Sequence, residues 1–245
     1  RDVVDRMLVI LPFEKAFFEN KWNYKVDFVG HPLVQVVNEF KASHSPQVSA
    51  KPLVALLPGS RKQEIAKKLP VMLEASRSFP DHEFVIAKAA SLEDEFYEPF
   101  LTGYNAGSVK NDTYGLLSKA TAALVTSGTA TLETALFGVP QVVCYKGSSI
   151  SYQIAKRLVK IKYISLVNLI MDREVVKELI QEELTTDNVI AELGKLLYDQ
   201  ERRQQMLDDY ATLKESLQAH GDASKKAAGI VVSFARSNVS QATLQ

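Results

Sequence analysis

The sequence predicts an α/β protein: a Rossmann-like parallel sheet flanked by helices, followed by a helical C-terminal extension. Three observations carry the prediction. Short apolar runs alternate with segments of helical period. Most of the runs are rich in Val, Ile and Leu without polar alternation, which suits strands covered on both faces. The links between them are short, as in successive βαβ units. After Met171 the apolar runs stop and only helical patterns remain.

In chain order the expected strands are Met7–Leu11, Val26–Val29, Leu53–Leu57, Glu83–Ala87, Ala122–Thr126, Gln141–Tyr145 and Tyr163–Leu166. Between them Lys62–Phe79, Ser91–Leu101, Tyr114–Lys119, Thr129–Phe137 and Ile150–Lys160 read as helices. Four more helices are expected at Arg173–Glu182, Asp187–Tyr198, Glu201–Ala219 and Ala223–Ala235, before a polar tail. Residues 41–51 are small, polar and Pro-containing, the composition of a linker. What precedes them, residues 1–40, is one βαβ unit, too small to bury a core alone. The chain opens without an initiating Met, so this unit is expected to be the remnant of an earlier domain. The span 52–220 then holds the Rossmann-like domain, and 221–245 a final helix and tail.

Composition removes several function classes. Lys+Arg 29 balances Asp+Glu 29, so net charge gives no support to a nucleic-acid partner. The single cysteine, Cys144, excludes an internal disulfide and any Cys-cluster zinc site, and fits a reducing compartment. His31, His44, His82 and His220 show no metal-ligand spacing, and no metal or cofactor is expected. The charged start Arg1-Asp2-Val3-Val4-Asp5 is no secretory signal. The longest charge-free stretch, Ala120–Leu132, falls short of the ~18 apolar residues of a spanning helix.

Three stretches carry chemistry. In Leu57-Pro58-Gly59-Ser60-Arg61 a strand turns into a helix. Gly59 permits the tight turn, Ser60 reads as an N-cap paired with Gln63, and Arg61 offers a planar fork suited to phosphate. A capped helix with a solvated Arg explains the same residues. In Thr126-Ser127-Gly128-Thr129-Ala130-Thr131-Leu132-Glu133 a second strand meets a helix. Gly128 allows close backbone approach, and Ser127, Thr129 and Thr131 add hydroxyls. Glu133, one turn deeper, can accept from a ribose diol. The alternative is a Thr-capped helix with a surface Glu. Third, Ser151–Lys162 reads as a basic amphipathic helix bearing Lys156, Arg157, Lys160 and Lys162, suited to anionic lipid, to a phosphorylated substrate or to ordinary packing. His31 and Cys144 read as structural residues, and Phe13, Phe17, Phe18 and Trp22 as packing for a helix on the sheet.

Several runs together resemble the lipid-A-disaccharide synthase family: Leu11-Pro12-Phe13-Glu14, Phe28-Val29-Gly30-His31-Pro32-Leu33 and Leu57-Pro58-Gly59-Ser60-Arg61 with Glu64-Ile65. Ser127-Gly128-Thr129-Ala130-Thr131-Leu132-Glu133, Ala155-Lys156-Arg157-Leu158-Val159-Lys160 and Ser165-Leu166-Val167-Asn168-Leu169 continue the likeness in the family's order. The resemblance is to the later part of that enzyme. It implies the C-terminal half of a GT-B glycosyltransferase, which binds the sugar nucleotide while the N-terminal half binds the acceptor.

The implied reaction joins UDP-2,3-diacylglucosamine to 2,3-diacylglucosamine 1-phosphate, with inversion, in the lipid A synthesis of Gram-negative bacteria. By resemblance Arg61 stabilises the departing diphosphate, Glu133 holds the ribose, and Asn168 belongs to a substrate-binding segment. Where many members have Pro before that Asn, this chain has Val167. The implied partners are the UDP-sugar, the acylated glucosamine phosphate, the missing N-terminal domain and an anionic membrane surface. The implied location is cytoplasmic, peripheral on the inner face of the inner membrane. The helix Ala223–Ala235 would cross back to the N-terminal domain, and its exposed face leaves a homodimer open. Competing readings are another GT-B enzyme, such as a UDP-N-acetylglucosamine 2-epimerase, and a non-catalytic nucleotide-binding fragment.

Overall fold

The short strands Leu8–Val9 (β1) and Asp27–Phe28 (β2) pair in parallel, joined through helix Pro12–Trp22 (α1) and followed by helix Pro32–Ser43 (α2). The computed structural model describes residues 3–44, 51–147, 162–218 and 221–242. The chain divides into two units, Arg1–Ala42 with Ala211–Gln245, and Ser43–Tyr210. In the first unit α1 buries none of its residues, and Phe13, Phe17 and Trp22 are exposed, against the expectation that they pack on a sheet. A two-residue β-pair offers too little surface to cover that aromatic face. His31 is buried in the turn before α2, where its Nδ1 accepts from the Leu33 amide, as expected of a structural histidine.

The second unit is built on six parallel strands. Leu53–Leu57 (β3) is buried at every position and leads into helix Lys62–Ser76 (α3). Glu83–Lys88 (β4) follows, then a short 3-10 turn, helix Glu98–Leu101 (α4) and Ala106–Lys110 (β5). Helix Thr113–Leu117 (α5), capped by Asp112, leads to Ala120–Thr126 (β6), helix Thr129–Phe137 (α6) and Gln141–Tyr145 (β7). Helix Leu166–Met171 (α7), Lys177–Ile180 (β8), helix Thr186–Tyr198 (α8) and the first part of helix Gln200–Leu217 (α9) complete this unit; α9 from Ala211 on and Ala223–Ala242 (α10), the last helix, belong to the first unit. Central strands β3, β6 and β7 read as apolar runs because both their faces are buried. Cys144 lies fully buried on β7.

Four expectations are corrected. Tyr163–Leu166 is not a strand; Ser165 accepts from the Asn168 amide and caps α7. The strand comes later, as β8, inside the stretch expected to be the helix Arg173–Glu182. It pairs with β7 from Val142↔Lys177 to Tyr145↔Ile180. β5, expected as neither strand nor helix, pairs with β4 from Phe84↔Ala106 to Lys88↔Lys110. Both are edge strands with one neighbour, so polar residues are tolerated and the apolar signature is lost. Ser91–Leu101 is a 3-10 turn and a single α-turn rather than one helix. The expected helix Ile150–Lys160 falls outside the described residues.

Candidate functional site

The strand order of the large sheet is β5-β4-β3-β6-β7-β8. The chain leaves β3 in one direction through β4 and β5, returns beside β3 with β6, and continues the other way. The β3–β6 junction is therefore the topological switch point, and α/β sheets bind ligands outside the carboxyl ends of the strands there. The loops that leave those two strands are Pro58–Arg61 and Ser127–Gly128, the two stretches singled out by sequence. Both line one cleft of about 510 Å³, with Lys88 of β4 on a further wall.

At the first loop Gly59 has φ +111, a left-handed conformation that favours glycine. α3 begins at Lys62 with Arg61 in the extended N-cap position and no side-chain cap. The expected cap by Ser60 with Gln63 is thus not formed; Ser60 lines the cleft. Arg61 is well exposed and its Nη1 donates to Glu64 Oε1 at 2.9 Å. The other carboxylate oxygen of Glu64 lies 3.7 Å from Lys68 Nζ.

Lys68 is only 1% exposed, and its ammonium donates to Thr126 Oγ1 at the end of β6. Burial pushes Lys68 below the ordinary lysine range, and the nearby Glu64 carboxylate opposes that fall. A methyl added at Gly59 would meet Glu64 Oε2 and Thr126 Cγ2 at 3.3 Å and Lys68 Nζ at 3.5 Å. Arg61, Glu64 and Lys68 therefore form a line of alternating charge under the Gly59 turn. Sequence reasoning missed Lys68. The available signal was a lysine on the helix face that carries Ile65, Leu69 and Met72, all fully buried.

The second loop is uncharged. Gly128 has φ +143 and ψ −162, a conformation essentially reserved to glycine, and nothing lies within 4 Å of a Cβ placed there. Ser127 Oγ donates to the Ile164 carbonyl at 2.7 Å. Thr131, expected as a ligand donor, is buried and returns its hydroxyl to the Gly128 carbonyl at 2.8 Å. Thr129 and Glu133 line the cleft. Glu133 Oε1 accepts from the Tyr114 hydroxyl at 2.8 Å. Burial, and then this bond, push the Tyr114 phenol well above its usual value, so it stays a donor. Lys88, largely buried, lies 3.2 Å from Asp94 Oδ1 and over the Tyr97 ring.

Asn168 stands apart from the cleft. It is fully buried; its amide nitrogen donates to the Val176 carbonyl and Glu178 Oε1, and its oxygen accepts from the Val175 and Val176 amides. That uses the whole capacity of the side chain. Against the expected nucleotide contact, Asn168 acts as a brace between α7 and β8. Lys162 is exposed, within 3.5 Å of Asp172 and over the Tyr163 ring. Lys156, Arg157 and Lys160 lie outside the described residues. Among the described residues no group of His, Cys, Asp and Glu could hold a metal, and no helix is long and apolar enough to cross a membrane.

The family model for lipid-A-disaccharide synthetase matches residues 1–232. The chain belongs to that family. Among curated relatives, the lipid-A-disaccharide synthase of Geobacter sulfurreducens is 37% identical over 241 residues, covering 94% of this chain and 62% of the relative. That of Acidobacterium capsulatum is 39% identical over 240 residues, covering 89% and 60%. The chain thus spans about three fifths of the length of the curated relatives it matches.

Solved structures share the fold at low identity. A putative UDP-N-acetylglucosamine 2-epimerase from Listeria monocytogenes superposes with TM-score 0.61 at 18% identity, over 94% of this chain and 60% of its own. A UDP-GlcNAc 2-epimerase from Neisseria meningitidis bound to UDP-GlcNAc gives 0.59 at 14%, over 93% and 61%. A calicheamicin glycosyltransferase gives 0.60 at 17%, over 96% and 53%. The architecture of this family member is that of the GT-B enzymes, with the parallel sheet and helical C-terminal region expected.

Proposed function

We propose that this chain is the nucleotide-sugar-binding part of an inverting glycosyltransferase of lipid A synthesis. The reaction joins UDP-2,3-diacylglucosamine to 2,3-diacylglucosamine 1-phosphate and releases UDP. The observation that carries this reading is the convergence of two helix starts at the β3–β6 switch point, one charged and one amide-rich, in a chain of the lipid-A-disaccharide synthetase family. The diphosphate lies between Arg61 and the amides after Gly128, and the ribose diol donates to Glu133, which Tyr114 holds in place.

In the transfer the acceptor hydroxyl attacks the anomeric carbon while the bond from that carbon to the diphosphate oxygen breaks. Negative charge grows on the departing oxygen, where Arg61 and the helix amides are placed to stabilise it. The acceptor proton goes to a base on the acceptor-binding half. Residues 52–220 form the nucleotide-sugar domain in this reading; residues 1–40 and the helix beginning near 221 go with the acceptor half. The chain alone is expected to bind UDP without turnover, and UDP release at the rate of an intact relative would overturn that division.

Calorimetric titration with UDP and UMP tests the site. Glu133→Gln should lose about 1–3 kcal/mol of UDP affinity, the worth of a hydrogen bond to a charged acceptor. Arg61→Lys should weaken UDP more than UMP, because the lysine keeps the charge and loses the fork. Unchanged UDP affinity in both variants would move the nucleotide elsewhere. The substrates' acyl chains and phosphates support work at the inner membrane face, with Lys156, Arg157, Lys160 and Lys162 toward anionic lipid. Neutralising all four should reduce pelleting with anionic vesicles at low salt; equal pelleting would make the stretch an ordinary packed segment.

A further inference from the structure

A lysine that is 1% exposed, on the buried face of α3, is an expensive residue unless its charge has a use. Lys68 has two partners, and both belong to the cleft. Thr126 ends β6 at the mouth of the second loop, and Glu64 stands between Lys68 and the exposed Arg61. A Cβ at position 59 would lie 3.3 Å from Glu64 Oε2 and Thr126 Cγ2 and 3.5 Å from Lys68 Nζ, so the turn sits close over all three groups.

Consider the charges when a diphosphate enters. Arg61 is engaged by Glu64 at 2.9 Å and must turn to the ligand to be useful. Without a second cation, Glu64 would be left uncompensated beside an incoming anion. The Lys68 ammonium removes that conflict.

We propose that Lys68 is a positioning residue of the diphosphate site, a buried counter-charge that holds Glu64 and Thr126 and so lets Glu64 release Arg61 to the ligand. Its role is indirect, with Glu64 and Thr126 between it and the bound anion. The proposal rests on the placing of UDP described above and adds a residue that neither the sequence motifs nor the family match single out.

The test is titration of the full chain and its Lys68→Met variant with UDP and with UMP, alongside thermal unfolding. A lysine kept for structure alone loses stability when replaced, because Glu64 and Thr126 are left without their partner; one kept for ligand binding gives way to a similar apolar side chain at little cost or with gain. The expected result is an unfolding midpoint equal to or above the parent's, with UDP affinity down about tenfold and UMP affinity down about twofold or less. A UDP loss under about twofold, or equal losses for the two nucleotides, overturns the proposal while leaving the nucleotide site standing. A parent chain that binds no UDP overturns both. Should Lys68→Met not fold, Glu64→Gln carries the test. With Glu64 neutral, Arg61 is already released, so UDP affinity should hold or rise; a tenfold fall would overturn the proposal.

Discussion

The two helix starts that meet at the cleft are built in different ways. Under the first, support is ionic: Arg61, Glu64 and Lys68 alternate in sign, and Lys68 reaches across to Thr126. Under the second, support is a hydrogen-bonded net. Ser127 donates to the Ile164 carbonyl, while Glu178 accepts from the Ile164 and Ser165 amides and from Asn168. In the proposed nucleotide site the difference separates two tasks. A charged start recognises charge and can rearrange when the ligand brings its own. A netted start keeps backbone amides in fixed positions, which is the property an amide cradle needs.

The largest effect that would break this contrast is removal of the brace. Asn168→Ala leaves the Val175 and Val176 amides, the Val176 carbonyl and a Glu178 oxygen short of a partner in a buried place. Denaturant unfolding should show a loss of roughly 3–4 kcal/mol. UDP affinity per folded molecule should fall by less than the stability loss, since Asn168 does not line the cleft and reaches the second loop only through Glu178 and Ile164. A specific loss of UDP binding with stability intact would return Asn168 to the ligand.

The glycines sharpen the contrast. Gly128→Ala meets empty space and pays only for its backbone conformation, about 1–2 kcal/mol of stability. Gly59→Ala carries a strained φ as well and pushes on Glu64 and Thr126, so roughly 2–3 kcal/mol is expected, with weaker UDP binding. Equal costs would mean that the charged line yields as freely as open solvent.

Much of this was legible in the residues. β3, β6 and β7 announce themselves because strands covered on both faces need unbroken apolar runs, and the glycines at 59 and 128 mark where those runs turn into the cleft. Helix α6 has the bounds expected of it. The edge strands were hidden because one-sided pairing demands no such run. β5 is Ala-Gly-Ser-Val-Lys and β8 is Lys-Glu-Leu-Ile, whose polar positions read as loop or helix. Within the site, Glu133 and Arg61 follow from the distance to a helix start. The burial of Lys68 is signalled only by its place on the helix face of Ile65, Leu69 and Met72, and its bond to Thr126 at the end of β6 is a long-range one that no local pattern encodes. Asn168 was placed by family likeness, and its local bonds to Val175, Val176 and Glu178 give it a structural role.

The smallest expected effect is also the one that most directly separates the two starts: their response to alkaline pH. Lys68 sits below 10.5 in the folded chain because of burial, with Glu64 of its own helix opposing. Of the other groups around it, Thr126 on β6 does not titrate, and burial pushes the Cys144 thiol on β7 up to about 12, so it stays neutral. Between the lowered folded value and 10.5 the unfolded chain binds the extra proton, so stability should rise with pH across that window. Nucleotide binding should move the other way. The folded ammonium is lost as pH climbs through its lowered value, and the counter-charge for Glu64 goes with it. UDP affinity should then fall, by at most about tenfold per pH unit, the limit for one linked proton. UMP, with one phosphate fewer, should fall less. The second start adds no opposing slope, because the raised Tyr114 phenol keeps its proton and its bond to Glu133. Titrations from neutral to alkaline pH, paired with unfolding midpoints, read both signs at once. UDP and UMP curves that stay parallel would remove the distinction between a start that answers charge and one that holds amides still.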